Sequence, residues 1–350
     1  MKNLFIHIGG HKTGSTAIQE HLKYNSKFLK KKGAYYFNTY ESKNFNKLIN
    51  ERNLKKKNIY FNKFFNQITN IRYNNIIISR GSLSGNIEYK YDDAKIFAEF
   101  LKEFKKFGYK VKIIYFVRDP IPFVISSYFQ LKKNYKFSNM SFENYLKFIK
   151  PETFFLKTIK SYNKWFKNDF IINNYTKLYK NEDQFIDYFW SLISKNSNIK
   201  KIGKNINKSY SPSLQYIVNK LDTILRNNEK KKILSTLNLL HKIIGKVRFN
   251  NQENRNDVYV DKKYSLIISY LQKQKTFIKL NKKYKTNLKL DYNIKVLRPN
   301  ELVNLIFILM LIFKNFIITK KSSKQIINKL INELIYKKVN QSVLKFFAIF

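Results

Sequence analysis

The chain has no cysteine, which excludes a disulfide framework and any thiolate metal site. Histidine is scarce as well: His7, His11, His21 and His241 are the only four in 350 residues and show no ligand spacing, so a metal centre is not expected. Acidic residues number 23 against 68 Lys and Arg, a formal charge of +45. Such a surplus attracts polyanions such as nucleic acid, anionic lipid or acidic polysaccharide. The basic residues are nearly all Lys, spread through the chain among abundant Asn and Ile, a pattern that a genome-wide usage bias also produces. No nucleic-acid motif accompanies them, so a specific nucleic-acid partner is not expected. Long apolar runs are missing too. The five-residue apolar run in MKNLFIHIGG is shorter than the roughly 7 to 15 residues of a signal-peptide core. It reads as a buried first strand, and residence in the reducing cytoplasm is the expectation.

What is present suffices for a core. Hydrophobic residues make up 44% of the sequence, with 25 Tyr and 31 Phe, enough apolar surface to offset the entropy of ordering the chain. Apolar runs at Asn3–Ile8, Ala34–Phe37, Asn75–Ser79, Val111–Val117 and Phe170–Tyr175 alternate with helical periodicity, clearest over Asp92–Phe107. That alternation predicts an α/β fold: a central, mainly parallel sheet with helices on both faces, forming three layers. In such sheets ligands bind beyond the carboxyl ends of the strands.

From Ser211 onward the patterns are mostly helical, including Leu214–Leu225 and Tyr264–Tyr284. We expect a domain over residues 1–295 and a helical extension over 296–350. Within the extension, the longest uninterrupted apolar run, Leu305–Phe313, falls short of the about 20 residues of a spanning helix. A following basic amphipathic helix carries Ile326, Ile327, Leu330, Ile331, Leu334 and Ile335 on one face. It is suited either to lie peripherally on a membrane surface or to pack on the domain.

Two segments carry chemistry. In IHIGGHKTGSTAIQ, a strand leads to Gly9 and Gly10, Gly14 admits an oxyanion close to the backbone, and Ser15 and Thr16 open a helix. The first amides of a helix lack partners and carry partial positive charge, so they bind phosphate oxygens, and Lys12 adds a full charge. Lys12 precedes the glycine in the order KxGST, unlike GxxxxGK[ST] of nucleotide triphosphatases, which argues against a kinase-like reading. In RDPIPFVISSYFQ, Arg118 follows the strand Val111–Val117, Pro120 suits a first helical turn, and Ser126 comes eight residues after Arg118 with Ser127 next to it. An arginine there can grip a phosphate bidentately, with a serine hydroxyl sharing it.

HKTGST resembles the 5′-phosphosulfate loop of sulfotransferases that use 3′-phosphoadenosine 5′-phosphosulfate, and RDP followed by Ser126 and Tyr128 resembles their 3′-phosphate motif. KNINKSYSPSLQ (204–215) is similar to the nucleotide-closing loop of bacterial carbohydrate sulfotransferases, with Asn205 where that pattern has arginine. The resemblance runs from Lys2 to about Gln215, with a vaguer match in LNKKYKTNL; nothing after Pro299 matches. It implies a P-loop fold like that of nucleoside triphosphatases and a 3′-phosphoadenosine 5′-phosphosulfate donor. It also implies nucleotide contacts from Lys12, Thr13, Gly14, Ser15, Thr16, Arg118, Ser126, Lys204, Asn207 and Ser209, and no required metal. The acceptor it implies is the hydroxyl of a carbohydrate or glycolipid. The family often has a glutamate base in a pattern like SxExLS, but this chain reads SRGSLSG with Gly81 at that place. His11 is the nearest candidate base by sequence, with Glu88 and Asp92 more distant. Loss of catalysis with retained nucleotide binding, or a basic module for polyanions or membranes, stays open at this level.

Overall fold

The computed structural model describes residues 1–133, 140–149, 151–178, 181–194, 200, 202, 257–260, 281–282 and 293–296. In chain order the elements are β1 (Asn3–His7), α1 (Ser15–Tyr24), α2 (Ser26–Lys31), β2 (Ala34–Phe37), α3 (Lys43–Asn50), α4 (Leu54–Thr69), β3 (Asn75–Ser79), α5 (Ala94–Lys106), β4 (Lys110–Val117), α6 (Pro120–Lys133), α7 (Phe142–Ile149), α8 (Pro151–Phe166), β5 (Phe170–Asn174), α9 (Tyr175–Leu178), α10 (Glu182–Ser191), β6 (Asp257–Val260) and β7 (Asn293–Val296). The chain divides into two units, Met1–Ser209 with Ile267–Tyr292, and Tyr210–Leu266 with Asn293–Phe350. In the second unit, β6 and β7 pair in parallel.

The first unit is built on a five-stranded sheet in the order β2-β3-β1-β4-β5, and every pairing in it is parallel. Alternation along the strands divides its side chains between two helical layers. Phe5, Tyr36, Ile77, Ile114 and Phe116 face α1, α2 and α10, packing with Ile18, Leu22, Leu29, Phe185 and Phe189. On the other side, Phe37 meets Phe64 of α4, and α8 places Tyr162 against Phe170 at the start of β5. Because both faces are covered, the strands read as continuous apolar runs, and Ile76, Ile77, Ile78, Ile113 and Ile114 are all fully buried. This is the three-layer α/β architecture with a parallel central sheet expected from the alternation of runs.

Two boundaries depart from the sequence reading for local reasons. The helix expected from Asp92 begins at Ala94 with Asp93 as its N-cap; the Asp93 carboxylate accepts from Asn86 N–H at 2.9 Å and Nδ2 at 3.1 Å and holds the turn that precedes the helix. The strand expected to reach Tyr175 ends at Asn174, whose Oδ1 accepts the Thr176 N–H at 2.9 Å and turns the chain into α9.

Lys204, Asn207, Ser209, the expected helix Leu214–Leu225, and residues 297–350 lie outside the described residues, as does Tyr264–Tyr284 apart from 281–282. Among the described residues no helix is long and apolar enough to cross a membrane, and no group of His, Cys, Asp and Glu is arranged to hold a metal ion.

Candidate functional site

β1 lies at the centre of the sheet between β3 and β4, so the chain segments leaving these three strands emerge side by side at the carboxyl edge. Neighbouring strands are about 4.8 Å apart; each emerging segment therefore touches the next.

The turn after β1 determines its own shape. Gly9, Lys12 and Gly14 adopt φ of 53°, 63° and 73°, and Gly14 takes this left-handed conformation as the N-cap of α1. The buried Thr13 hydroxyl donates to the Gly10 carbonyl at 2.7 Å and accepts the Gly10 N–H at 3.0 Å, closing the turn on itself. There is no room for larger residues. A Cβ on Gly9 would lie 2.5 Å from Ser15 Oγ, one on Gly10 would collide with the Phe116 carbonyl, and one on Gly14 would lie 2.8 Å from Phe185 Cε1 and 3.0 Å from Tyr175 Cε2. The first helical bond of α1 runs from Ile18 N–H to the Gly14 carbonyl, so the amides of Ser15, Thr16 and Ala17 have no acceptor within the helix. No side chain caps α1 and its first turn has no acidic residue. Its positive end is uncompensated from within, which suits an anion. By contrast, α10 is capped by Asn181 and begins with Glu182 and Asp183.

The segment after β4 is held from outside. Arg118 donates from Nη1 to the Lys12 carbonyl at 3.1 Å, and its guanidinium lies 5.9 Å from the Tyr175 ring centroid. This single bond brings the two sequence motifs, 106 residues apart, into direct contact. Behind Arg118, the buried Asp119 accepts from Asn174 Nδ2 at 2.8 Å, while its own N–H donates to Thr176 Oγ1 at 3.2 Å. β4 is thereby tied to the end of β5. The adjacent serines differ in employment. Ser127 donates to the Phe123 carbonyl at 2.8 Å and accepts from Tyr145 OH at 2.8 Å. The Ser126 hydroxyl is buried with no hydrogen-bond partner among the described residues, a costly state unless a ligand or water occupies it.

Gly81, where the resembled family has its glutamate, packs beside the turn: its Cα lies 3.1 Å from where a Cβ on Gly9 would stand. Of the other base candidates, Asp92 is exposed and engaged by Lys157 Nζ at 2.6 Å. Glu88 is half-buried in the short turn after β3. His11 is also half-buried, with its ring edge-on to Tyr91 at 5.6 Å between centroids.

Sequence reasoning missed Tyr175 and Phe185, which cover Gly14, and the Asp119–Asn174–Thr176 bracket, because both depend on tertiary neighbours rather than spacing. It also missed Arg80, which follows β3. The residues Lys12, Thr13, Gly14, Ser15, Thr16 and Arg118 are gathered at this edge.

No protein-family model matches the chain, and no curated protein matches it. Among solved structures the chain is similar to the crystal structure of a sulfotransferase from Alicyclobacillus acidocaldarius, at 14% identity and a TM-score of 0.39, over 59% of this chain and 87% of that one. A likeness of that size decides nothing about chemistry, and the functional reading rests on the geometry of the turn and its neighbours.

Proposed function

We propose that the chain is a sulfotransferase that moves the sulfo group of 3′-phosphoadenosine 5′-phosphosulfate onto a hydroxyl of a carbohydrate or glycolipid acceptor. The observation that carries this reading is the contact between Arg118 and the Lys12 carbonyl. It puts a second cation beside an uncapped helix N-terminus, the arrangement that one nucleotide with two separate phosphate groups requires.

The chain's own groups divide the work. Lys12 and the amides of Gly14, Ser15 and Thr16 neutralise charge that grows on the leaving phosphate oxygen as the sulfur–oxygen bond breaks. Arg118 and Ser126 grip the 3′-phosphate and select this donor over ATP. Thr13 acts through its backbone, its hydroxyl being engaged in the turn. The acceptor oxygen attacks sulfur in line, its proton passes to His11, and adenosine 3′,5′-bisphosphate leaves. His11 is the base candidate within the turn itself; Gly81 supplies no carboxylate, Asp92 is engaged by Lys157, and Glu88 stands farther along the chain, in the short turn after β3. The scheme needs no metal. By the same resemblance, Lys204, Asn207 and Ser209 add contacts to the nucleotide. We place the protein in the cytoplasm; the basic amphipathic helix expected within 296–350 suits either peripheral contact with the inner face of the membrane or packing on the domain.

Gly81 favours one second reading, a nucleotide-binding protein without transfer activity. Two assays separate the readings: thermal shift with adenosine 3′,5′-bisphosphate, ATP and a polyanion in parallel, and release of adenosine 3′,5′-bisphosphate from the donor in the presence of mixed glycans. A melting shift specific to the bisphosphate together with acceptor-dependent release is expected. A shift without release supports the second reading, and equal shifts with all three ligands refute both.

A further inference from the structure

We infer that the acceptor is an anionic saccharide, held along α3 by two arginine–tyrosine pairs, Arg80 with Tyr40 and Arg52 with Tyr89. The inference rests on the transfer reading above and gives it a substrate class.

Arg80 leaves the sheet directly after β3, its N–H bonded to the His7 carbonyl at 3.0 Å. The next residue, Gly81, packs against Gly9 of the phosphate turn. The guanidinium is largely withdrawn from water, and that burial lowers its pKa from the ordinary arginine value. It donates from Nε to Ser82 Oγ at 3.2 Å and from Nη2 to Asn46 Oδ1 at 3.2 Å, both neutral acceptors. Its Nη1 is buried with no acceptor among the described residues. No carboxylate among the described residues pairs with it, and the titratable groups acting on it are the phenols of Tyr40 and Tyr36. A half-buried cation with an unused donor and no counter-charge is costly to keep empty, and an entering anion relieves that cost.

The surroundings indicate what carries the anion. Tyr40 lies over the guanidinium at 3.9 Å and is 56% exposed. Among the described residues its hydroxyl makes one hydrogen bond, to Gln19 Oε1 at 3.3 Å, and its exposed ring offers a ligand an aromatic face. Beyond the other end of α3, the exposed Arg52 donates to Tyr89 OH at 2.6 Å, with its guanidinium 5.0 Å from the Tyr89 ring centroid. Tyr89 stands two residues before Tyr91, whose ring rests against His11. Both pairs thus belong to chain segments that touch the same turn one or two residues away, through Gly81 and Tyr91, and each combines a cation for an acidic group with an aromatic ring of the kind that packs on a sugar face. Aromatic rings favour a saccharide chain over inorganic anions, and spaced cations favour an acidic chain over a neutral one.

The test is calorimetric titration of the full chain, with and without adenosine 3′,5′-bisphosphate, using tri-galacturonate and the neutral maltotriose as probes. Since the whole protein is basic, charge removal elsewhere is the control. We expect tri-galacturonate to bind at least tenfold more tightly than maltotriose. Arg80→Gln and Arg52→Gln should each weaken it about fivefold or more, and Tyr40→Ala should weaken both saccharides. The double control Lys30→Gln, Lys31→Gln should change it less than twofold. Arg52 is exposed, so its variant reports even if Arg80→Gln does not fold. Equal affinity for the two probes, no binding of tri-galacturonate, or an equal loss in the lysine control overturns the inference. If the bisphosphate binds and the saccharide arm fails, only this inference falls. If the saccharide arm behaves as expected and the bisphosphate does not bind, the donor reading falls instead.

Discussion

The turn after β1 and the segment after β4 both present a cation to the same edge, yet they are stabilised differently. The first is closed by its own residues: Thr13 bonds Gly10 twice, and glycines occupy the left-handed positions at Gly9 and Gly14. The second is braced by distant ones, through Asp119, Asn174 and Thr176, and through Arg118 reaching the Lys12 carbonyl. A self-closed turn is preorganised before a ligand arrives. A braced one depends on the packing of β4 against β5, so substitutions in its bracket should lower stability as well as binding.

The largest effect that would sharpen this contrast is on chemistry. Lys12→Ala should lower the transfer rate by about 10² to 10³ while leaving the melting temperature near that of the parent, because the turn is closed by Thr13. Full retained activity in a radiolabelled-donor assay would remove Lys12 from the mechanism.

Asp119→Ala should act in the opposite way. It leaves Asn174 Nδ2 buried and without its acceptor, costing about 3 kcal/mol of stability, measurable by urea denaturation. An unchanged denaturation midpoint would show that the segment after β4 does not need its bracket.

A pH effect comes from the strand beneath the turn. His7 is fully buried, with Nδ1 2.8 Å from Ser79 Oγ, and burial lowers its pKa from 6.5 to about 3. Below pH 6.5 the unfolded chain binds a proton that the folded chain refuses, so this contribution is complete above that pH. It falls by about 1.4 kcal/mol per pH unit as pH drops toward 3. Denaturation at pH 6.5 and pH 5 should differ by about 2 kcal/mol more in the parent than in His7→Gln; identical slopes would contradict a neutral buried ring.

The smallest effect separates two neighbours. Ser126→Ala should weaken bisphosphate binding roughly five- to thirtyfold with little change in stability, whereas Ser127→Ala should cost about 1 kcal/mol of stability and leave affinity unchanged. The reverse pattern would mean that the two hydroxyls had been assigned the wrong way round.

How much of this could be read in advance follows the same division. β1, the turn and α1 were legible because glycines, Lys12 and helical periodicity act over a dozen residues. Arg118 was legible as a strand-end cation, and Pro120 as the first residue of α6. Its bond to Lys12 was not, since strand order decides it and no spacing encodes β1 beside β4. The cover over Gly14 from Tyr175 and Phe185 was hidden for the same reason. Arg80 was not legible as a site residue, because Asn46 and Tyr40, which hold its guanidinium, lie 34 and 40 residues earlier and no spacing encodes their approach. The buried pair of His21 and Glu182, 3.6 Å apart between α1 and α10, likewise joins residues whose separate patterns look like an amphipathic face and a helix start.

The central claim is that one nucleotide bridges the turn and Arg118. Calorimetric affinities for adenosine 3′,5′-bisphosphate and adenosine 5′-monophosphate, in the parent chain and in Arg118→Ala, test it directly. The account predicts that the bisphosphate binds at least about 100-fold more tightly to the parent, two charge-assisted bonds to the second phosphate supplying the difference, and that Arg118→Ala erases most of the preference. Equal affinity for the two nucleotides in the parent chain, or a preference that survives Arg118→Ala intact, would contradict it.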